Sequence, residues 1–163
     1  VSREKIIIER IYAAPVKSMR AHFLQIDRAL IPKLKIIGID FDSSITLSKY
    51  RLAKESSGCI IFGNVVELPI TIMDTYMFTY WGVEPAKTYR RLVEALMALH
   101  NEGVRIATIL WHTNSVRMLG GKDYLRFVEE IWRYEWITPI KVADIVSYLD
   151  LCRRCDTEES TCS

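Results

Sequence analysis

A histidine at the end of an apolar run is the residue best placed for chemistry in this 163-residue chain. Ile106 to Trp111 is largely apolar and reads as a buried strand. His112 follows at once, then Thr113, Asn114 and Ser115, with Gly120-Gly121 a little further on. In a β/α protein the end of a strand is where side chains are presented to the open rim. A His released there can donate or accept a proton near neutral pH. The competing reading is a strand-end His that only caps a loop. Two other groupings carry chemical potential. Asp40-Phe41-Asp42 follows the apolar run Ile36-Ile37-Gly38-Ile39, and Cys152-Arg153-Arg154-Cys155 lies near the C-terminus with Cys162 beyond it. A Cys-x-x-Cys pair can form half a zinc site or a redox couple. No second ligand pair at matching spacing accompanies it and Cys59 stands alone, so free thiols on a loose polar tail are the expectation.

The composition bounds the function classes. Half the residues are hydrophobic and 26% are charged, which is ordinary globular composition for one domain with a real core. A net charge of +2 with scattered basic residues gives no electrostatic case for nucleic acid. No apolar run reaches the roughly 18 residues of a membrane span. The charged opening Val1-Ser2-Arg3-Glu4-Lys5 lacks the apolar core of a secretory signal, so a cytoplasmic chain is expected. A first residue of Val fits either a valine-coded start or a chain cut from something longer.

The elements that would position these residues alternate in type. Glu4 to Ala13 reads as a helix with Ile7, Ile8 and Ile11 on one side, and Val16 to Ile26 as strand and loop. Arg28 to Lys35 reads as a short helix despite Pro32. Val65 to Thr71 is a strand region whose Pro69 implies an edge or an interruption. Glu84-Pro85 to Gly103 carries helix start and stop signals, with Leu92, Leu96 and Leu99 at helical spacing. Lys122 to Tyr134 is a helix with Tyr124, Phe127, Val128 and Ile131 on its apolar face. Thr138 is expected to cap a last helix running through Leu149. The helix–strand–helix order of the second half argues for an α/β fold.

Two resemblances follow from these motifs. The Asp40-Phe41-Asp42 sequence after its apolar run resembles the nucleophile loop of haloacid-dehalogenase-type phosphatases. That resemblance implies Asp40 attacking phosphorus and Asp42 handling the leaving-group proton. Such chemistry also needs a Lys and a paired-carboxylate strand end for magnesium. After Ser115 the chain offers Lys122 and Lys141 but no Asp-Asp or Gly-Asp-x-x-x-Asp.

The second resemblance covers far more of the chain. Arg20-Ala21-His22-Phe23-Leu24, Gly38-Ile39-Asp40-Phe41-Asp42-Ser43-Ser44, Val66-Glu67-Leu68-Pro69-Ile70-Thr71 and Leu110-Trp111-His112 occur in that order. Together they resemble the later part of a polysaccharide deacetylase domain (carbohydrate esterase family 4). The resemblance implies His112 as general acid for the departing amine, with Leu110 lining the acetyl pocket. It implies Arg20 as the group that tunes the catalytic carboxylate, Asp74 as the carboxylate that orients His112, and Trp81 as an aromatic pocket wall. The plainer alternatives are a surface ion pair for Arg20, a loop cap for Asp74 and a core aromatic for Trp81.

Members of that family begin with a strand bearing an Asp pair, followed by a His-x-x-x-His helix, and together these hold the base and the metal. Neither motif is in this sequence, whose histidines are His22, His100 and His112. The expectation is therefore an α/β fold forming an incomplete (β/α) barrel of the polysaccharide-deacetylase type. Residues 1–150 would be the truncated domain and 151–163 a Cys-containing polar tail. An open barrel exposes a sheet edge and apolar interior. Coverage is expected from the N-terminal helix, a second copy of the chain, or a separately encoded first part. The implied substrate is an N-acetylated carbohydrate, with no nucleic acid or membrane partner. No cofactor is expected in this chain, and a divalent metal only once the first part is supplied. A non-catalytic remnant that binds through the same rim is the alternative.

Overall fold

The computed structural model describes residues 1–46, 58–117 and 120–155, the last three by backbone alone. Its topology turns on Pro69. Strand β1 (Ser18–Met19) pairs in parallel with β2 (Phe41–Asp42), and β2 in parallel with β4 (Val65–Glu67). The chain then follows β2 further, through Leu68 N–H to Asp42 O (2.8 Å) and Ile70 N–H to Ile45 O (2.7 Å). Between these bonds sits Pro69, which has no N–H to give. Beyond it the chain leaves the first sheet as β5 (Ile70–Met73) and pairs in parallel with β6 (Thr108–Leu110). The proline is thus an interruption, not an edge: β4 lies inside its sheet, between β2 and β3 (Ile60–Phe62).

Strand β3 was not legible as a strand in the sequence. It forms an antiparallel hairpin with β4, pairing Phe62 with Val65 around Gly63-Asn64. Gly63 takes φ +58 there, the left-handed backbone that tight hairpins demand. Strand β7 (Arg153–Cys155) adds in parallel to the far side of β3, completing the order β1-β2-β4-β3-β7.

Alternation along these strands splits the core. Ile60, Phe62 and Val65 bury one face under Ile31 and Leu34 from a 3₁₀ stretch. Phe41, Ile61 and Val66 bury the other against Ile106 and Ile145. A third cluster covers the small sheet. There Ile72 meets Leu92 and Leu96 of α3 (Thr88–Asn101) and Phe127 of α5 (Gly121–Glu130). Pro85 opens the turn before α3, and Gly103 (φ +86) follows its end, as the helix signals implied.

The result is a mixed α/β fold with two sheets, and no barrel closes among the described residues. Several expectations need correction. The short helix read over Arg28 to Lys35 is two 3₁₀ stretches, Arg28–Leu30 and Pro32–Ile37, the second capped by Gly38. Helix α1 (Ser2–Tyr12) exists, but it buries no residue and leaves Ile7, Ile8 and Ile11 exposed, so it covers no gap. The last helix is a 3₁₀ stretch over Val142–Leu151 broken by non-helical backbone at Tyr148, and its cap is Lys141, whose N–H meets the Asp144 carboxylate, not Thr138. The cysteines are corrected most sharply. Cys59 and Cys152 form a disulfide across 93 residues of sequence, so neither is a free thiol. Leu151 and Cys152 pack on the second cluster, which makes the start of the expected tail part of the fold. The side chains of Cys155 and Cys162 lie outside the described residues.

Candidate functional site

Strand pairing brings Asp74 and His112 together. In the β5–β6 ladder Met73 stands opposite Leu110, so the next residues leave both strand ends at the same level. Asp74 opens α2 (Asp74–Thr79), and its side chain is fully buried. One oxygen, Oδ1, lies 2.7 Å from His112 Nδ1 and accepts the Thr75 N–H at 2.7 Å. The other, Oδ2, accepts the His112 backbone N–H at 2.8 Å. The Ser115 side chain, on α4 (Thr113–Arg117), is near enough to this carboxylate to help lower its pKa. Burial by itself would raise the Asp74 pKa. Ser115 and the donors from His112 and Thr75 outweigh it and hold the carboxyl below its ordinary value.

An ionised Asp74 fixes the tautomer of its neighbour. A carboxylate only accepts, so His112 Nδ1 carries the hydrogen and Nε2 is left as the working nitrogen. The His112 side chain is 46% exposed while its partner is 0% exposed, so a buried anchor holds a ring that faces outward. The residue before His112 belongs to an aromatic cluster. Trp111 stacks on Tyr124 with centroids 4.2 Å apart and planes 6° apart, and Phe78 meets Trp111 edge-on at 5.8 Å. Tyr124 has its phenol pKa raised, by burial first and then by the Asp74 charge.

Of the other expected site residues, Leu110 and Trp81 lie on or just after the elements that carry this dyad. Leu110 sits on β6, two residues before His112, opposite Met73. Trp81 follows α2, half-exposed, with its backbone N–H on Tyr76 O. Arg20 is on the other sheet. Its guanidinium holds the Ser43 carbonyl and hydroxyl, each at 2.9 Å, and its charge acts on Asp42 and Glu67. The carboxylates beside Arg20 are therefore those two, not Asp74. Asp40 pairs with Lys17 and Lys35, while Asp42 is only 1% exposed. Asp40 has an oxygen on each lysine and Asp42 is closed off from solvent, so neither aspartate is open to an incoming phosphorus and geometry lends the phosphatase reading no support.

Sequence reasoning missed Ser115, Thr75 and Tyr124 as neighbours of Asp74. Ser115 was visible as a small polar residue one helical turn past a strand-end His, but nothing local said which carboxylate it would meet. Compared with family models, with curated proteins and with solved structures, the chain matches none.

Proposed function

We propose that this chain carries the acid-bearing part of a carbohydrate deacetylase that hydrolyses the amide of N-acetylated sugars. The observation that carries the reading is the Asp74–His112 pair, with a buried carboxylate on Nδ1 and Nε2 left to the exposed side. In amide hydrolysis the difficult event is expulsion of an amine, a poor leaving group unless it is protonated. As the carbon–nitrogen bond of the tetrahedral adduct breaks, its electron pair moves to nitrogen. That nitrogen takes the proton from Nε2 of the His112 imidazolium. His112 ends neutral, with its Nδ1–H still donated to Asp74. The carboxylate thus holds the ring in place before and after the transfer.

Among the described residues no three His, Cys, Asp or Glu side chains come together as metal ligands, so no step is assigned to a metal on this chain. In this reading the base and any divalent metal come from a segment bearing the Asp pair and His-x-x-x-His helix. That segment is supplied in cis or as a second polypeptide. No helix among the described residues is long and apolar enough to cross a membrane. A cytoplasmic location, expected from the N-terminal residues, stands against the Cys59–Cys152 bond, because reducing thiol pools open such bonds in most cytosols.

Acetate release from N-acetylglucosamine oligomers tests the proposal. The chain alone is expected to release none, and the chain combined with the missing segment should turn over. In that combination His112→Ala is expected to lower the rate about a hundredfold or more. Turnover by the isolated chain, or a combined enzyme indifferent to His112→Ala, overturns the reading.

A further inference from the structure

Two acids that the dyad does not use lie side by side in the first sheet. Asp42 of β2 and Glu67 of β4 are register partners in a parallel ladder, so their side chains leave the same face at neighbouring positions. Asp42 is 1% exposed and Glu67 0%, among the apolar residues of that face. One oxygen of each is engaged: Asp42 Oδ1 accepts the Ser44 hydroxyl at 2.6 Å, and Glu67 Oε1 accepts the Ile45 N–H at 3.0 Å. The other two, Asp42 Oδ2 and Glu67 Oε2, are buried and have no donor among the described residues. Two ionised carboxylates with an orphaned oxygen each, held adjacent and away from water, would repel and leave acceptors unsatisfied.

We propose that Asp42 and Glu67 share a single proton between Oδ2 and Oε2. This proton is a pH-dependent clasp that joins β2 to β4 under the Ser43–Thr46 stretch. One hydrogen satisfies both orphaned atoms and removes one of the two charges, as in other buried acid pairs. The charged group facing the pair among the described residues is Arg20, whose guanidinium offsets the remaining negative charge while holding Ser43. The clasp therefore acts on the same stretch from two sides, through Ser44 and Ile45 from the acids and through Ser43 from Arg20.

The direction of titration agrees. Burial, then the charge of Asp42 and the hydrogen bond to it, push the Glu67 pKa up to about 9, against backbone donors from Ile45 and Ser44 that lower it. A folded pKa above the ordinary 4.5 means that the folded chain binds the extra proton. The resulting stability is complete below the ordinary value and is lost as pH rises towards the folded one. Across neutral pH one proton leaves on unfolding, so the unfolding equilibrium constant should grow about tenfold per pH unit.

Urea unfolding of the full chain at several pH values between 6 and 8, compared with Glu67→Gln, provides the test. Gln is a neutral match for the protonated acid, and its amide can donate to Asp42 Oδ2. The wild-type unfolding constant is expected to rise by about tenfold per pH unit relative to the variant. Difference infrared spectra at neutral pH should show the carbonyl stretch of a protonated carboxylic acid in the native wild type. Parallel pH profiles for the two proteins overturn the proposal, and so does a native spectrum without that band. Should Glu67→Gln fail to fold, the wild-type infrared spectrum and Asp42→Asn decide by the same criteria.

Discussion

Opening the Cys59–Cys152 bond should cost this fold a large share of its stability. The bond closes a loop of 93 residues, from the residue just before β3 to the residue just before β7. In the chain-entropy account a crosslink of that span removes about 4–5 kcal/mol of disorder from the unfolded state. Little in the native state offsets this on reduction. Cys59 is fully buried beside Phe41, Ile61 and Ile106, where a thiol is as much at home as half a disulfide. Domains of this kind are stable by about 5–15 kcal/mol in all. With a urea slope of about 2 kcal/mol per molar, Cys152→Ser should lower the unfolding midpoint by roughly 2 M. The assay is equilibrium unfolding followed by tryptophan fluorescence, with and without reductant. Reduced wild type and oxidised-buffer Cys152→Ser should coincide. A midpoint shift below about 0.5 M would refute the reasoning, as would four reactive thiols in the unreduced, unfolded chain, which has four cysteines.

Other perturbations test the site and its supports. Asp74→Asn leaves one acceptor oxygen for the donors of Thr75 and His112, and should destabilise by about 2–4 kcal/mol in urea melts. Because Asp74 has a lowered folded pKa, its contribution is present above the ordinary carboxyl range and is lost as pH falls through the folded value. Acid titrations of wild type and Asp74→Asn should converge there, and curves that stay parallel would count against it. Gly58→Ala places a Cβ 1.8 Å from the Ile106 carbonyl oxygen at φ +93, whereas Gly103→Ala meets open space at φ +86. The first should cost about 3 kcal/mol or more and the second about 1–2, and equal losses in chemical melts would contradict the close approach at Gly58. Trp111→Phe keeps a ring against Tyr124 and deletes a buried indole N–H that has no partner among the described residues, so its cost should stay under about 1.5 kcal/mol. A loss of 3 kcal/mol or more would show that the N–H is satisfied.

Local pattern was enough wherever neighbours in sequence do the work. Pro85, the leucine spacing and Gly103 fix α3 because caps and one apolar stripe are local properties. The apolar run into His112 likewise marked a strand end, and Pro69 marked a broken strand, since a missing N–H is a property of the residue itself. What sequence could not decide is which strand ends share a level. Asp74 and His112 are 38 residues apart, and only the Met73–Leu110 register sets them 2.7 Å from each other. The same step separates Arg20 from that pair, because β1 aligns with β2 and delivers the guanidinium to Ser43. Cys59 read as a lone thiol for the same reason: its partner arrives through the docking of Leu151 and Cys152 on the far core face. Residue type announces what a side chain can do, whereas the pairing of distant strands decides whom it meets. That pairing depends on burial summed over both faces of a sheet, a quantity no single stretch of this chain contains.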